Sequence, residues 1–177
     1  PITETRQGSL NNVQVQWREA PTNGLTYFRA LSIFKDLPTE LRTFVPLFCD
    51  ALMRIGTKTK SMEEIEDLIK LKTGGVSFGY HACTSPTDTK VCEEGLSLSG
   101  FALDQNVPAL YDLIRTIVLE TNFDGPKAKA SLRELVQSAA SGGVDTIAES
   151  GHAYARRVAE AGISPHGSLL EQTGGCL

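Results

Sequence analysis

His81 and Cys83 sit two residues apart, and Cys92 follows nine residues later. On an extended strand the first two side chains share a face, and a hairpin would let Cys92 reach them. Zinc takes ligands of these types. There is, however, no C-x-x-C, no H-x-x-x-H and no second His close in sequence, so a plain strand face covered by helices is the competing reading. A Cys83–Cys92 disulfide across the hairpin is a weaker alternative. His152 stands in Ser150-Gly151-His152-Ala153-Tyr154, near Glu149 and Arg156-Arg157. A Ser/His/Glu set is conceivable there, because geometry and not sequence order defines a triad. Neither Ser150 nor Ser141 lies in a G-x-S-x-G elbow, which favours a capped helix with a solvated His. Cys49 falls on an apolar helical stripe and reads as a small core residue, with a nucleophilic Cys49 or Cys83 kept as an alternative. Gly74-Gly75 and Gly142-Gly143 fit no phosphate-loop spacing, since Lys72 precedes its glycines, and they read as helix stops. Glu63-Glu64-Glu66-Asp67 is an acidic helix start and not a pair of carboxylates poised for acid–base work.

The elements that would position these groups follow from periodicity. Val13, Val15 and Trp17 alternate with polar residues, the period of a half-buried strand. Asn23-Gly24 then predicts a hairpin into a second strand over 25–34, apolar on both faces and so expected to be central. Leu41, Val45, Phe48, Leu52 and Ile55 fall on one helical stripe, with Pro46 kinking or restarting the helix. Ser61-Met62-Glu63-Glu64 is a capping box opening a helix that buries Ile65, Leu68 and Ile69 and stops at Gly74-Gly75, with Lys70 and Lys72 in its last turn. Strands over 75–83 and 95–103 follow, joined by the polar link Thr84–Glu94. A helix from about Val107 to Glu120 has Pro108 in its first turn. The next starts near Pro126, presents Leu132, Leu135, Val136 and Ala139, breaks at Ser141-Gly142-Gly143, and resumes from Thr146 to Ala161. Strand–strand–helix–helix, twice over, predicts an α+β domain: an antiparallel-rich sheet with helices on one face.

Composition narrows the function classes. Lys and Arg number 17 against 21 Asp and Glu, a net charge of −4. Such a balance offers no electrostatic footprint for nucleic acid. Hydrophobic residues make up 41% and charged ones 21%, as in an ordinary globular domain. No apolar run approaches the roughly 20 residues that cross a bilayer, so no membrane insertion is expected. Cys49, Cys83, Cys92 and Cys176 form no dense disulfide framework and suit a reducing compartment. The start at Pro1, without Met, and the stop at Gly174-Gly175-Cys176-Leu177 read as a piece of a longer polypeptide. No charged stretch leads into an apolar core like that of a signal peptide.

The segment Val45-Pro46-Leu47-Phe48-Cys49-Asp50-Ala51-Leu52-Met53-Arg54-Ile55-Gly56-Thr57 resembles the first helix of the pitrilysin/insulinase-type zinc metallopeptidases, whose catalytic domain carries H-x-x-E-H. Residues 22–30, 37–49, 71–77 and 150–155 resemble, more narrowly, the third domain of the presequence-protease branch, at the start of its C-terminal half. The likeness runs from about Val13 to Leu177, and the repeated ββαα order agrees with that family's fold.

Laid on this helix, the family motif puts Leu47, Asp50 and Ala51 where His, Glu and His would stand. Leu and Ala offer zinc no lone pair, and one shortened acid cannot activate a metal-bound water. The resemblance thus implies a single non-catalytic domain over 1–177, with no catalytic, cofactor-binding or metal residue of its own. It implies a parent that is an ATP-independent zinc metalloendopeptidase of mitochondria, degrading targeting peptides and other short unstructured peptides. The implied partners are the other domains of the same polypeptide and the parent's peptide substrates. A catalytically inert core or regulatory subunit of the same family, acting as a scaffold, is the alternative. Docking onto other domains predicts exposed apolar surface on this chain.

Overall fold

The computed structural model describes residues 4–174, apart from the side chains of 142–147 and 174; Cys176 lies outside the described residues. Strands β1 (Thr5–Leu10) and β2 (Val13–Arg18) form an antiparallel pair. Strands β3 (Leu25–Ile33), β4 (Gly75–Thr84) and β5 (Cys92–Leu103) form an antiparallel sheet in the order β3-β5-β4. The helices are α1 (Thr39–Arg42), α2 (Val45–Leu52), α3 (Met62–Lys72), α4 (Val107–Glu120), α5 (Pro126–Ala161) and α6 (Pro165–Gly174). The fold is α+β, as expected, and the expected repeat is extended by β1 before it and α6 after it.

Several elements form for the reasons legible in the sequence. Pro46 enters the first turn of α2, so the helix restarts there instead of running on from α1. At α3 the Ser61 hydroxyl accepts from the Glu64 N–H at 3.3 Å, while the Glu64 carboxylate accepts from the Ser61 N–H at 2.7 Å. On α4, Leu110, Leu113, Ile114 and Ile117 recur at i, i+3, i+4 and i+7 and are all buried. They meet a row on one face of the sheet, where Val76 and Ala102 pack with Leu110 and Ile114, backed by Phe28, Ile69, Phe78 and Leu98. Gly100 lies directly beneath Leu110: a Cβ there would stand 2.8 Å from its Cδ1 and 3.0 Å from the Gly75 carbonyl oxygen. Leu52, Ile65 and Ile117 continue the core, and Ala51, Ile55, Ala128 and Leu135 join α2 to α5.

Four expectations are corrected. Asn23 and Gly24 do take positive φ, 55° and 78°, but the turn joins two different sheets. β2 instead pairs with β1 across Asn11-Asn12, whose φ values of 49° and 66° suit a two-residue hairpin. All six residues of β2 are exposed, so the strand is not half-buried. β3 is an edge and β5 the central strand: among the described residues β3 pairs only with β5, and its apolar content on the Tyr27, Leu31 and Ile33 face lies exposed instead of marking a central position. Finally, α5 runs through Gly142-Gly143 and is interrupted at Ser150 (φ −128°, ψ 29°). The Ser141 hydroxyl donates to the Gln137 carbonyl at 2.8 Å, a bond within the helix that tolerates its continuation.

Candidate functional site

On α2, Leu47 packs partly buried against the cluster of Ala51, Ile55, Ala128 and Leu135, with Ala51 fully buried. Asp50, three residues beyond Leu47, is exposed. Two of the three positions are therefore core residues and the third faces water. Cys49, beside them, is 2% exposed. Burial first, and then the charge of Asp50, push its thiol from 9.0 up to about 11, so it is protonated at neutral pH and no nucleophile.

The end of the β4–β5 hairpin holds the other candidates. His81 Nε2 lies 3.4 Å from Cys83 Sγ. Cys92, however, is paired in register with Thr84, and Cys83 with Glu93, so the two thiols project from opposite faces of the ladder. Neither the disulfide nor the shared ligand set is formed, and Cys83 and Cys92 are both free. Cys92 Sγ instead meets His166 Nδ1 of α6 at 3.8 Å, a histidine 74 residues away that sequence proximity could not bring to notice. Burial, helped by Glu94 and Cys83, raises the Cys92 thiol. Among the described residues no three His, Cys, Asp or Glu side chains gather as a metal would need.

His152 is exposed on α5, and Glu149 is exposed as well. Arg156 pairs with Glu160 at 3.5 Å, and Arg157 lies over the Tyr154 ring at 5.7 Å. Ser141 is eleven residues from His152 along the helix, about 16 Å at 1.5 Å per residue, and its hydroxyl is engaged with backbone carbonyls. No triad is assembled from these groups. Lys72 ends α3 and Thr73, extended at φ −132° and ψ 167°, caps it, so the stop comes one residue before Gly74-Gly75, and Gly75 already opens β4.

The polar network missed by sequence reasoning is Arg42–Glu94–Tyr80. Glu94 is 6% exposed and accepts from Arg42 Nη1 at 2.6 Å and from the Tyr80 hydroxyl at 2.9 Å. Arg42 also donates to the Leu37 carbonyl at 3.2 Å. Burial, and then the bond to Glu94, raise the Tyr80 hydroxyl pKa. The network ties α1 to β4 and β5. A Glu on the apolar row of a strand, opposite Ala82, was its one sequence signal.

Two clefts lie elsewhere. One of about 460 Å³ crosses the uncovered sheet face beside the stacked rings of Tyr27 and Phe101, 5.3 Å apart, and is lined by Arg29, Ser77 and Ser99. The other, about 620 Å³, lies between the loop after α2 and the start of α5 and is lined by Arg54, Lys58, Lys60, Lys127 and Glu63. Neither holds a His or Cys, and neither pairs a nucleophile with a base.

The described residues offer packing and polar ties, and the deciding observation is one of kinship. The family model described as Peptidase M-16C associated matches residues 1–176. The chain belongs to that family. Among its relatives, "Presequence protease, mitochondrial" of Gibberella zeae is 51% identical over 170 residues, covering 96% of this chain and 17% of that protein. The protein of the same name from Aspergillus oryzae is 49% identical, again over 96% of this chain and 17% of the relative. That from Danio rerio is 34% identical over 99% of this chain and 17% of its own length. The chain thus spans about one sixth of the curated relatives it matches. This family membership agrees with the resemblance carried by the α2 segment. In this family member Leu47 and Ala51 of α2 pack into the core.

Proposed function

We propose that residues 1–177 are a single non-catalytic domain in the C-terminal half of a mitochondrial, ATP-independent zinc metalloendopeptidase. The parent degrades targeting peptides and other short unstructured peptides. This domain contributes packing and part of the wall of a closed chamber, which excludes folded proteins by size. Its partners are the remaining domains of its polypeptide and, through the chamber, the parent's peptide substrates.

The observation carrying this reading is the fate of α2: Leu47 and Ala51 are spent on the core and Asp50 faces water. These residues do not fit zinc, having no converging lone pairs, so no catalytic step runs through them. The metal belongs to another domain of the parent. Exposed apolar side chains, among them Tyr27, Leu31, Ile33 and Trp17, support docking against other domains.

The test is cleavage of an unstructured, presequence-like peptide by the intact parent, with and without a chelator. Chelator-sensitive cleavage that changes less than about twofold in Asp50→Ala supports the reading. A parent that binds such peptides without cleaving them would instead favour the inert scaffold subunit. A loss of kcat of about 100-fold or more in Asp50→Ala would overturn the non-catalytic assignment.

A further inference from the structure

Among the described residues, strand β3 has a partner on one side only. In an antiparallel ladder, alternate residues bond to the partner and the others turn their N–H and C=O the opposite way. The Phe34 N–H donates to the Glu94 carbonyl at 2.8 Å, and the Asp104 N–H donates to the Gly24 carbonyl at 3.0 Å. Both pairs extend the β3–β5 register, in which Thr26 faces Ala102 and Ser32 faces Leu96. Even-numbered residues of β3 therefore bond to β5. The backbone groups of Tyr27, Arg29, Leu31 and Ile33 point outward from the sheet.

That edge has little of the usual protection. Natural edge strands are kept short, carry charged residues or Pro, bulge, or lie under a helix or loop. β3 runs nine residues in unbroken register without Pro, and Arg29 is its single charge. β4, at the other edge, is backed by α2, α3 and α6, whereas β3 packs chiefly on β5. The side chains beside the outward backbone groups include Tyr27, Leu31 and Ile33, at 64%, 48% and 40% exposure.

We propose that the outer edge of β3 is a seam at which the sheet continues, filled by a strand of the same polypeptide from outside residues 1–177. The inference rests on the multidomain reading above. The occupant is assigned in cis because the chain spans only 17% of relatives such as the Gibberella zeae protein. A covalently tethered strand meets the edge at high effective concentration, ahead of any free peptide or second copy. Its residues facing Tyr27, Leu31 and Ile33 are apolar, and the one facing Arg29 is polar or acidic, because cross-strand neighbours share a face.

Hydrogen exchange at single-residue resolution on the intact parent tests this. The amides of Tyr27, Arg29, Leu31 and Ile33 are expected to exchange at least about 100-fold more slowly than free amides, like those of Phe28 and Ala30. Free exchange at the odd positions beside protected even ones overturns the proposal. So does odd-position protection that appears only with added peptide, or only at high protein concentration; these identify an extended substrate or a second copy as the occupant. A variant gives an independent check. Proline at position 31 removes an outward N–H and is tolerated at a free edge. Leu31→Pro is expected to speed exchange at Arg29 and Ile33 at least about tenfold over Leu31→Ala; equal rates in the two variants overturn the seam. Chelator-sensitive cleavage on the same preparation separates the two readings. Intact cleavage with free odd amides sinks only the seam, and protected odd amides without cleavage sink only the peptidase assignment.

Discussion

The two faces of the three-stranded sheet are built from the same strands and meet opposite fates. The row of Phe28, Val76, Phe78, Leu98 and Ala102 lies against α4 and α3 in a core where Leu110 is fully buried. The row of Tyr27, Arg29, Ser77, Ser99 and Phe101 has no helix over it, and Tyr27 stacks on Phe101 in the open. Among the described residues, helices cover one face only. The apolar side chains of the other face and of the β3 edge, Tyr27, Leu31 and Ile33, stay exposed. The chemistry-bearing residues follow the same division: Cys92, Glu94 and Tyr80 are drawn into the covered side, while His81 and Cys83 remain on the open side. A residue's fate here is set by which face it occupies.

This comparison is easiest to break at its strongest point. Leu110→Ala removes a fully buried side chain from the covered face and is expected to cost about 3–4 kcal/mol in chemical denaturation. Tyr27→Ala, on the open face, is expected to cost less than about 1 kcal/mol in the 177-residue chain. Equal losses would abolish the distinction. Glu94→Ala is next. It leaves the Arg42 guanidinium and the Tyr80 hydroxyl without their shared acceptor and is expected to cost about 3 kcal/mol. A near-neutral result would show that the Arg42–Glu94–Tyr80 tie adds nothing to the covered side.

Alkaline pH sharpens the same contrast. The Cys49 thiol titrates at about 11 in the folded chain against 9.0 ordinarily, so folding favours its protonated form. The stability this contributes is full below pH 9 and is lost as pH rises through 11, about 3 kcal/mol in all. The raised Tyr80 hydroxyl acts in the same direction above pH 10. Cys49→Ala is expected to flatten the fall between pH 9 and 11, and an unchanged slope would assign that fall to other groups. Ser61→Ala, at the exposed start of α3, has the smallest expected effect, about 1 kcal/mol from the lost capping bond. A cost like that of Leu110→Ala would mean α3 is held by its cap and not by Ile65.

Local signals were the most legible. The capping box at Ser61, the restart at Pro46 and the helix from Val107 to Glu120 with Pro108 in its first turn each depend on residues within one or two turns, and each forms as read. Pairing was less legible, because Asn11-Asn12 and Asn23-Gly24 both adopt turn backbones, yet only the first closes a hairpin. Apolar residues on both sides of β3 suggested burial, although Tyr27, Leu31 and Ile33 on one face are exposed. Gly142-Gly143 suggested a break that the helix absorbs, with Ser150 taking the non-helical conformation instead. At the candidate site, the chemical poverty of Leu47 and Ala51 was readable from residue type alone. The Cys92–His166 and Arg42–Glu94 contacts, at separations of 74 and 52 residues, required the fold.

The central claim is that the metal of the parent peptidase owes nothing to these residues. Its most direct test is metal analysis of the intact parent, dialysed and carrying Asp50→Ala, His81→Ala, Cys83→Ala, Cys92→Ser and His166→Ala together. Zinc per polypeptide unchanged from the unsubstituted parent is the predicted result. Loss of zinc from the substituted protein while it remains folded would contradict the claim and place the metal centre in this domain.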